Sequence, residues 1–183
     1  MKRIIALILC ICVMSSMAAC STFPEDEPSP EEVLAANKQA FADFRADFEK
    51  EVILAVNARV ITDENGDRML LTDIKNTSDQ EATNIVLCFA IWDAEGNFLT
   101  ILSRNNPTNT YSEFQVEMGD RTVAAGETWE ATAGLFLAEE CPEVAHVEAA
   151  VISCTLGSTE YTNRVYDAWK ETYLNQKLED WMR

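Results

Sequence analysis

One histidine, His146, stands in a chain of 183 residues. A Cys/His zinc site and a His-dependent nucleophile therefore have almost nothing to draw on. The six glycines form neither a Gly-x-Ser-x-Gly elbow nor a phosphate-cradling loop, and no His-Glu-x-x-His helix occurs. Basic residues are scarce, 14 Lys and Arg against 31 Asp and Glu. Such a surface repels nucleic acid, whose binders are basic. The longest uncharged apolar run near the start, Ile4 to Met14, is eleven residues. A membrane span needs about 20.

What is present begins with Met1 to Cys20, MKRIIALILCICVMSSMAAC. Lys2 and Arg3 precede the short apolar run, and Ser15, Ser16, Met17, Ala18 and Ala19 lead into Cys20. A basic start, a short apolar core and a small-residue end is the order of an export signal. The stretch resembles a bacterial lipoprotein signal peptide, with Met17 where Leu is usual. The resemblance implies cleavage over residues 1–19 and a diacylglycerol on the Cys20 thiol. It places the chain on the extracytoplasmic face of the cell membrane, with membrane lipid as its first partner. Acyl chains contribute about 0.8 kcal/mol per buried methylene, so two of them hold a protein stably. The leader carries two basic residues and no acid, so the remaining chain has 12 basic against 31 acidic residues, a formal charge of −19.

Residues 20–31 are acidic and proline-rich and read as an extended tether. Ser29, Pro30 and the acids Glu31 and Glu32 signal a helix start, and residues 32–50 form the expected N-terminal helix. Leu34, Phe41, Phe44 and Phe48 share one face of it. From residue 51 the period becomes two. Val52–Ile61, Met69–Asn76, Thr83–Asp93, Phe98–Ser103, Glu113–Met118, Thr128–Leu137 and Val144–Thr155 read as strands. Thr83–Asp93 is apolar on both faces and should lie centrally. Residues 104–111 read as a polar loop, and Arg164–Trp181 as a C-terminal helix. The expected fold is mainly β: residues 51–183 form an antiparallel Ig-like sandwich of about seven strands with flanking helices.

Three segments carry a further likeness: Leu71–Ser78 (LTDIKNTS), Phe89–Asn97 (FAIWDAEGN) and Tyr161–Trp169 (YTNRVYDAW). Together they resemble the Ig-like domains of unknown function in lipoproteins of Gram-positive bacteria, including FxLYD-like modules. Arg164 stands where those domains often have proline. The resemblance implies a fold and offers no catalytic residues or cofactor.

Of the cysteines beyond Cys20, the export reading permits a disulfide. Cys141–Cys154 and Cys88–Cys154 are the candidate pairs, against buried free thiols. Asp63, Asn65 and Asp67 have the spacing of a calcium-loop start, but Ile74 stands where that loop needs Glu, and a hairpin turn accounts for them equally. Glu139 and Glu140 are an adjacent acid pair with no sequence sign of a cleft. Trp92, Trp129, Trp169 and Trp181 are either core or a glycan-stacking platform. The leading expectation is a non-enzymatic display or binding module with an extracellular protein partner. The alternative is a glycan- or solute-binding module.

Overall fold

The computed structural model describes residues 28–183. The expected signal segment, the expected lipidation site Cys20 and most of the expected tether lie outside them. Ser29 opens helix α1, Pro30–Phe48. Its hydroxyl accepts from the Glu32 N–H at 3.3 Å, and the Glu32 carboxylate accepts from the Ser29 N–H at 2.8 Å. This reciprocal cap starts the helix at Pro30, where the Ser29–Pro30 signal places it.

Strands β1 (Ile53–Thr62) and β2 (Arg68–Asn76) form a hairpin. Two short strands, β8 (Thr128–Trp129) and β9 (Leu135–Phe136), pair with the other edge of β2. In the second sheet β3 (Ala82–Trp92) pairs with β10 (His146–Leu156), which pairs with β11 (Thr159–Thr162). The far edge of β3 is shared by β4 (Phe98–Leu99) and β7 (Phe114–Glu117). Strands β5 (Ile101–Ser103) and β6 (Asn106–Tyr111) make a separate hairpin. All these pairings are antiparallel. Helix α2, Tyr166–Tyr173, and a short 3-10 turn, Asp180–Met182, follow. The architecture is mainly antiparallel β with the topology of a sandwich, as expected.

Strand β3 is covered on both faces. Ile85, Leu87, Phe89 and Ile91 enter the core between the sheets, beside Ile53, Leu70 and Ile74. Cys88, Ala90 and Trp92 face the helices, beside Tyr166, Trp169 and Tyr173. Each large apolar side chain so buried contributes about 1.5–3 kcal/mol. Small residues at 88, 90 and 150 leave room for the fully buried Trp169.

Strand β10 likewise lines both cores, and its register slips between Val151 and Ser153. Such a bulge inverts the two-residue alternation. Ala149 and Val151 face the inter-sheet core before the slip and Cys154 after it, while Ala150 and Ile152 face the helices. Asn163 secures the bulge. Its backbone N–H donates to Ile152 O at 2.9 Å and its amide to Val151 O at 2.8 Å. Its amide oxygen accepts from the Val165 N–H at 2.9 Å, which sets the entry to α2.

Helix α1 docks through aromatic edges. Phe41 and Phe44 meet Tyr173 at 6.3 and 5.9 Å between ring centroids, and Phe41 meets Trp181 at 5.6 Å. Arg45 lies 3.3 Å from Glu148 on β10 and donates to the Tyr173 hydroxyl at 3.3 Å. Burial pushes Glu148 above the ordinary carboxylate range despite Arg45, and pushes Tyr173 up to about 12. Just past α1, the buried Glu51 accepts from the Tyr161 hydroxyl and pairs with Arg164 at 3.2 Å.

Several expectations change. Phe98–Ser103 is two strands in different sheets, β4 and β5, parted at Thr100. Leu34, expected on the apolar face of α1, is exposed at 42%. The polar segment 104–111 contains β6, an exposed strand whose lack of an apolar face hid it from any periodicity. The small strand β11 was likewise silent, its residues being mostly exposed. Thr128–Leu137 is two strands with a break. The C-terminal helix stops at Tyr173 because Leu174 is extended and Asn175 takes a φ of 60°. The chain then returns to the sheet. Trp92 donates to Gln176 O at 2.8 Å, and the Leu178 N–H donates to Gly96 O at 2.8 Å.

Replacing Asn163 with Ala strips Val151 O of its amide donor and the Val165 N–H of its acceptor, while the backbone bond to Ile152 O remains. Urea unfolding of Asn163→Ala should show a loss of about 2 kcal/mol, the scale of a broken buried polar network.

Candidate functional site

A concavity lies between the sheets, on the side where β7 faces β8 and β9. It originates in a second bulge. The β1–β2 register slips between Val56 and Arg59, and Asn57 takes a φ of 53° there. The bulge turns Asn57 and Arg59 onto Asp73 of β2, each at 3.0 Å. The Ala131 N–H donates to the same carboxylate at 2.9 Å, and Arg59 donates to Ala131 O at 3.3 Å. Asp73 is buried, with three groups donating to its carboxylate. Burial alone would raise its pKa. The Ala131 N–H, Asn57 and Arg59 outweigh burial and hold the carboxyl below its usual range.

Ala131 is thereby pinned just after β8. Trp129 pairs with Ile74, and Leu135 with Leu70, so the outer chain uses two more residues than β2 over the same interval. The surplus bows out over residues 130–134. It returns at Gly134, where a Cβ would fall 2.0 Å from Leu70 O and 2.5 Å from the Leu71 side chain. Only glycine allows that approach.

The result is a half-open groove of about 200 Å³. Leu70, Leu87 and Phe89 lie at its floor, and Val116, Met118, Trp129 and Leu135 line its walls. Arg121 covers the Trp129 ring, 5.5 Å from its centroid. An apolar floor with one cation–aromatic pair at the mouth suits an apolar group entering from a partly polar ligand.

The titratable groups with the largest displacements lie elsewhere and brace the fold. Burial, then Glu51, raises Tyr161. Burial, then Cys88 and Glu113, raises Tyr166, whose hydroxyl donates to Glu113 at 3.0 Å. Burial pushes the Cys88 and Cys154 thiols up to about 11.

Cys88, Cys141 and Cys154 are free and buried, so the candidate Cys141–Cys154 bridge is not formed. The Cys88–Cys154 alternative fails on geometry, since the two thiols sit in cores on opposite faces of one sheet. The Asp63–Asp67 segment is the β1–β2 turn. Asp63 accepts from the Asn65 and Asp67 N–H groups at 2.8 and 2.9 Å, and Asp67 pairs with Arg104. Among the described residues no group of three or more His, Cys, Asp or Glu side chains is placed to hold a metal. Glu139 and Glu140 are exposed in a loop whose carbonyls take Arg68. His146 opens β10 opposite Trp92. Trp92 and Trp169 are fully buried, Trp181 packs on Phe41, and only Trp129 reaches the groove, so the indoles form no row.

A profile described as "Family of unknown function (DUF5780)" matches residues 69–176, more than half of the chain. The chain belongs to the DUF5780 family. The DUF5780 segment begins at β2 and runs through α2, so it contains the groove and excludes α1. No curated protein matches. Among solved structures, the fold is similar to a 1.85 Å X-ray structure of a hypothetical protein from Peptoclostridium difficile 630. Identity is 8%, the match covers 72% of this chain and 95% of that one, and the TM-score is 0.56. The earlier likeness to a domain of unknown function therefore stands at the level of fold, with DUF5780 as the family.

Sequence reasoning passed over Arg121, Val116, Met118 and Gly134. Gly134 carried a signal, because a glycine inside an alternating run marks a bulge or a close backbone approach. Two predictions follow from the groove wall. Gly134→Ala should destabilise by about 1–3 kcal/mol through overpacking, read as a lower denaturant midpoint. Asp73, with a folded pKa below its unfolded value near 3.9, stabilises fully above that value and loses this contribution as pH falls through the folded one. Stability measured from pH 6 downward should therefore decline more steeply below about pH 4 in the parent than in Asp73→Asn.

Proposed function

We propose that this DUF5780 protein is a lipid-anchored, extracytoplasmic binding module without enzymatic activity. Lipid on Cys20 holds it at the membrane, the acidic residues 20–31 lead away, and α1 forms a rigid arm. Residues 30–40 of α1 are almost all exposed and extend beyond its aromatic dock at Phe41. At about 1.5 Å per residue this arm adds roughly 16 Å of reach. The groove is the place of binding.

The half-open apolar groove with Arg121 over Trp129 carries this reading. It is open along one side, as a site for a displayed partner should be. Its floor is apolar, and the groups with the most displaced protonation are braces between elements remote from it. The glycan-platform alternative loses its main support, because three of four indoles are engaged in packing.

Membrane fractionation of Cys20→Ser should move the protein from the membrane pellet to the soluble fraction. Retention in the pellet would contradict the anchor. A photo-crosslinker at position 116 should yield one reproducible adduct on whole cells. Filling the groove with Ala133→Trp should reduce that adduct at least fivefold. An adduct indifferent to Ala133→Trp would remove the groove from the account.

A further inference from the structure

Strand β7 is a sheet edge that runs along the groove. The Met118 N–H donates to Ile85 O at 2.9 Å, and the antiparallel register sets Val116 opposite Leu87 and Phe114 opposite Phe89. In an antiparallel ladder, alternate residues direct both backbone groups at the partner strand and the residues between direct theirs away. Phe114, Val116 and Met118 thus bond inward to β3. Gln115 and Glu117 aim their N–H and C=O groups outward, and those groups have no partner among the described residues.

The side chains alternate in the same way. Val116 and Met118 border the inter-sheet groove, with Trp129 and Leu135 of the other sheet. Gln115 and Glu117 are exposed, and Glu117 also borders the groove at this edge. Glu113 and Asp120 flank it, and Glu117 makes no salt bridge among the described residues.

We infer that an extended peptide from a partner protein docks beside β7 as an added strand, with apolar side chains alternating with basic ones. Its main chain would take the outward groups of Gln115 and Glu117. Alternation would then send one set of side chains into the groove and the other past Glu113 and Glu117. Apolar residues suit the first set and Lys or Arg the second. The acidic edge on a chain of net charge −17 repels a second copy of itself, so the occupant is a partner of opposite charge. This inference rests on the groove's being a binding site and names the class of partner.

The test uses the full chain and a capped seven-residue peptide, Lys-Val-Lys-Val-Lys-Val-Lys. Amide hydrogen exchange is followed at Gln115 and Glu117. The expected result is saturable binding with at least tenfold slower exchange at both amides. The same peptide with Glu for Lys should bind at least tenfold more weakly, and so should one of equal composition with its valines in a block. Gln115→Pro removes one outward donor without touching the bonds to β3, and should weaken binding about tenfold with its unfolding midpoint kept. The parent exchange measurement decides the matter even if that variant fails to fold. Binding without protection at Gln115 and Glu117, equal binding of the acidic or block peptide, or no binding at all overturns the inference. If the cellular adduct from position 116 persists and remains sensitive to Ala133→Trp, only the strand-addition inference has failed. If that adduct is also absent, the groove reading has failed with it.

Discussion

Burial of strand β3 on both faces is the constraint on which the other parts depend. A strand with one apolar face needs one cover. Ile85, Leu87, Phe89 and Ile91 require the β1–β2 sheet, while Cys88, Ala90 and Trp92 require a second layer. That requirement accounts for the helices. Helix α2 supplies Tyr166, Trp169 and Tyr173, and α1 closes over them with Phe41, Phe44 and Phe48. The bulge in the neighbouring β10 is the adjustment that turns Cys154, rather than Ser153, into the inter-sheet core.

Polar side chains set the irregularities that burial alone would not specify. Asn163 holds the β10 bulge, and Asp73 gathers the β1 bulge and Ala131. Asn76 is fully buried and plays the same part at the end of β2, donating to Gln80 O and Val123 O at 2.7 and 3.0 Å. Each satisfies backbone groups that a regular ladder would have paired. The groove is the downstream consequence: Asp73 pins one end of the outer chain, Gly134 lets the other end approach β2, and the bowed segment leaves a sheet edge open.

The elements that bury apolar residues were legible. The Ser29 cap, the aromatic face of α1, the double-sided β3 and the turns at Gly66 and Gly96 all follow from local chemistry. The exposed strands β6 and β11 were not, since their pairing is made by the backbone and leaves no hydrophobic period. The break between Trp129 and Leu135 was hidden for a different reason. The run alternates correctly, and only Asp73, 58 residues away along the chain from Ala131, interrupts it. The groove was illegible for that same cause, because its walls come from segments that no local pattern connects. Trp181 meets Phe41 through a contact that no local pattern announces, since it exists only because the chain turns back at Asn175.

Native-state hydrogen exchange on the free chain tests this account most directly. Amides of β3 and β10 should exchange only through global unfolding, with the docked turns of α1 from Phe41 to Phe48 close behind. The outward amides of Gln115 and Glu117 should exchange fast. Fast local exchange along β3, or slow exchange at Gln115 and Glu117 with nothing bound, would contradict both the keystone role of the doubly covered strand and the open edge beside it.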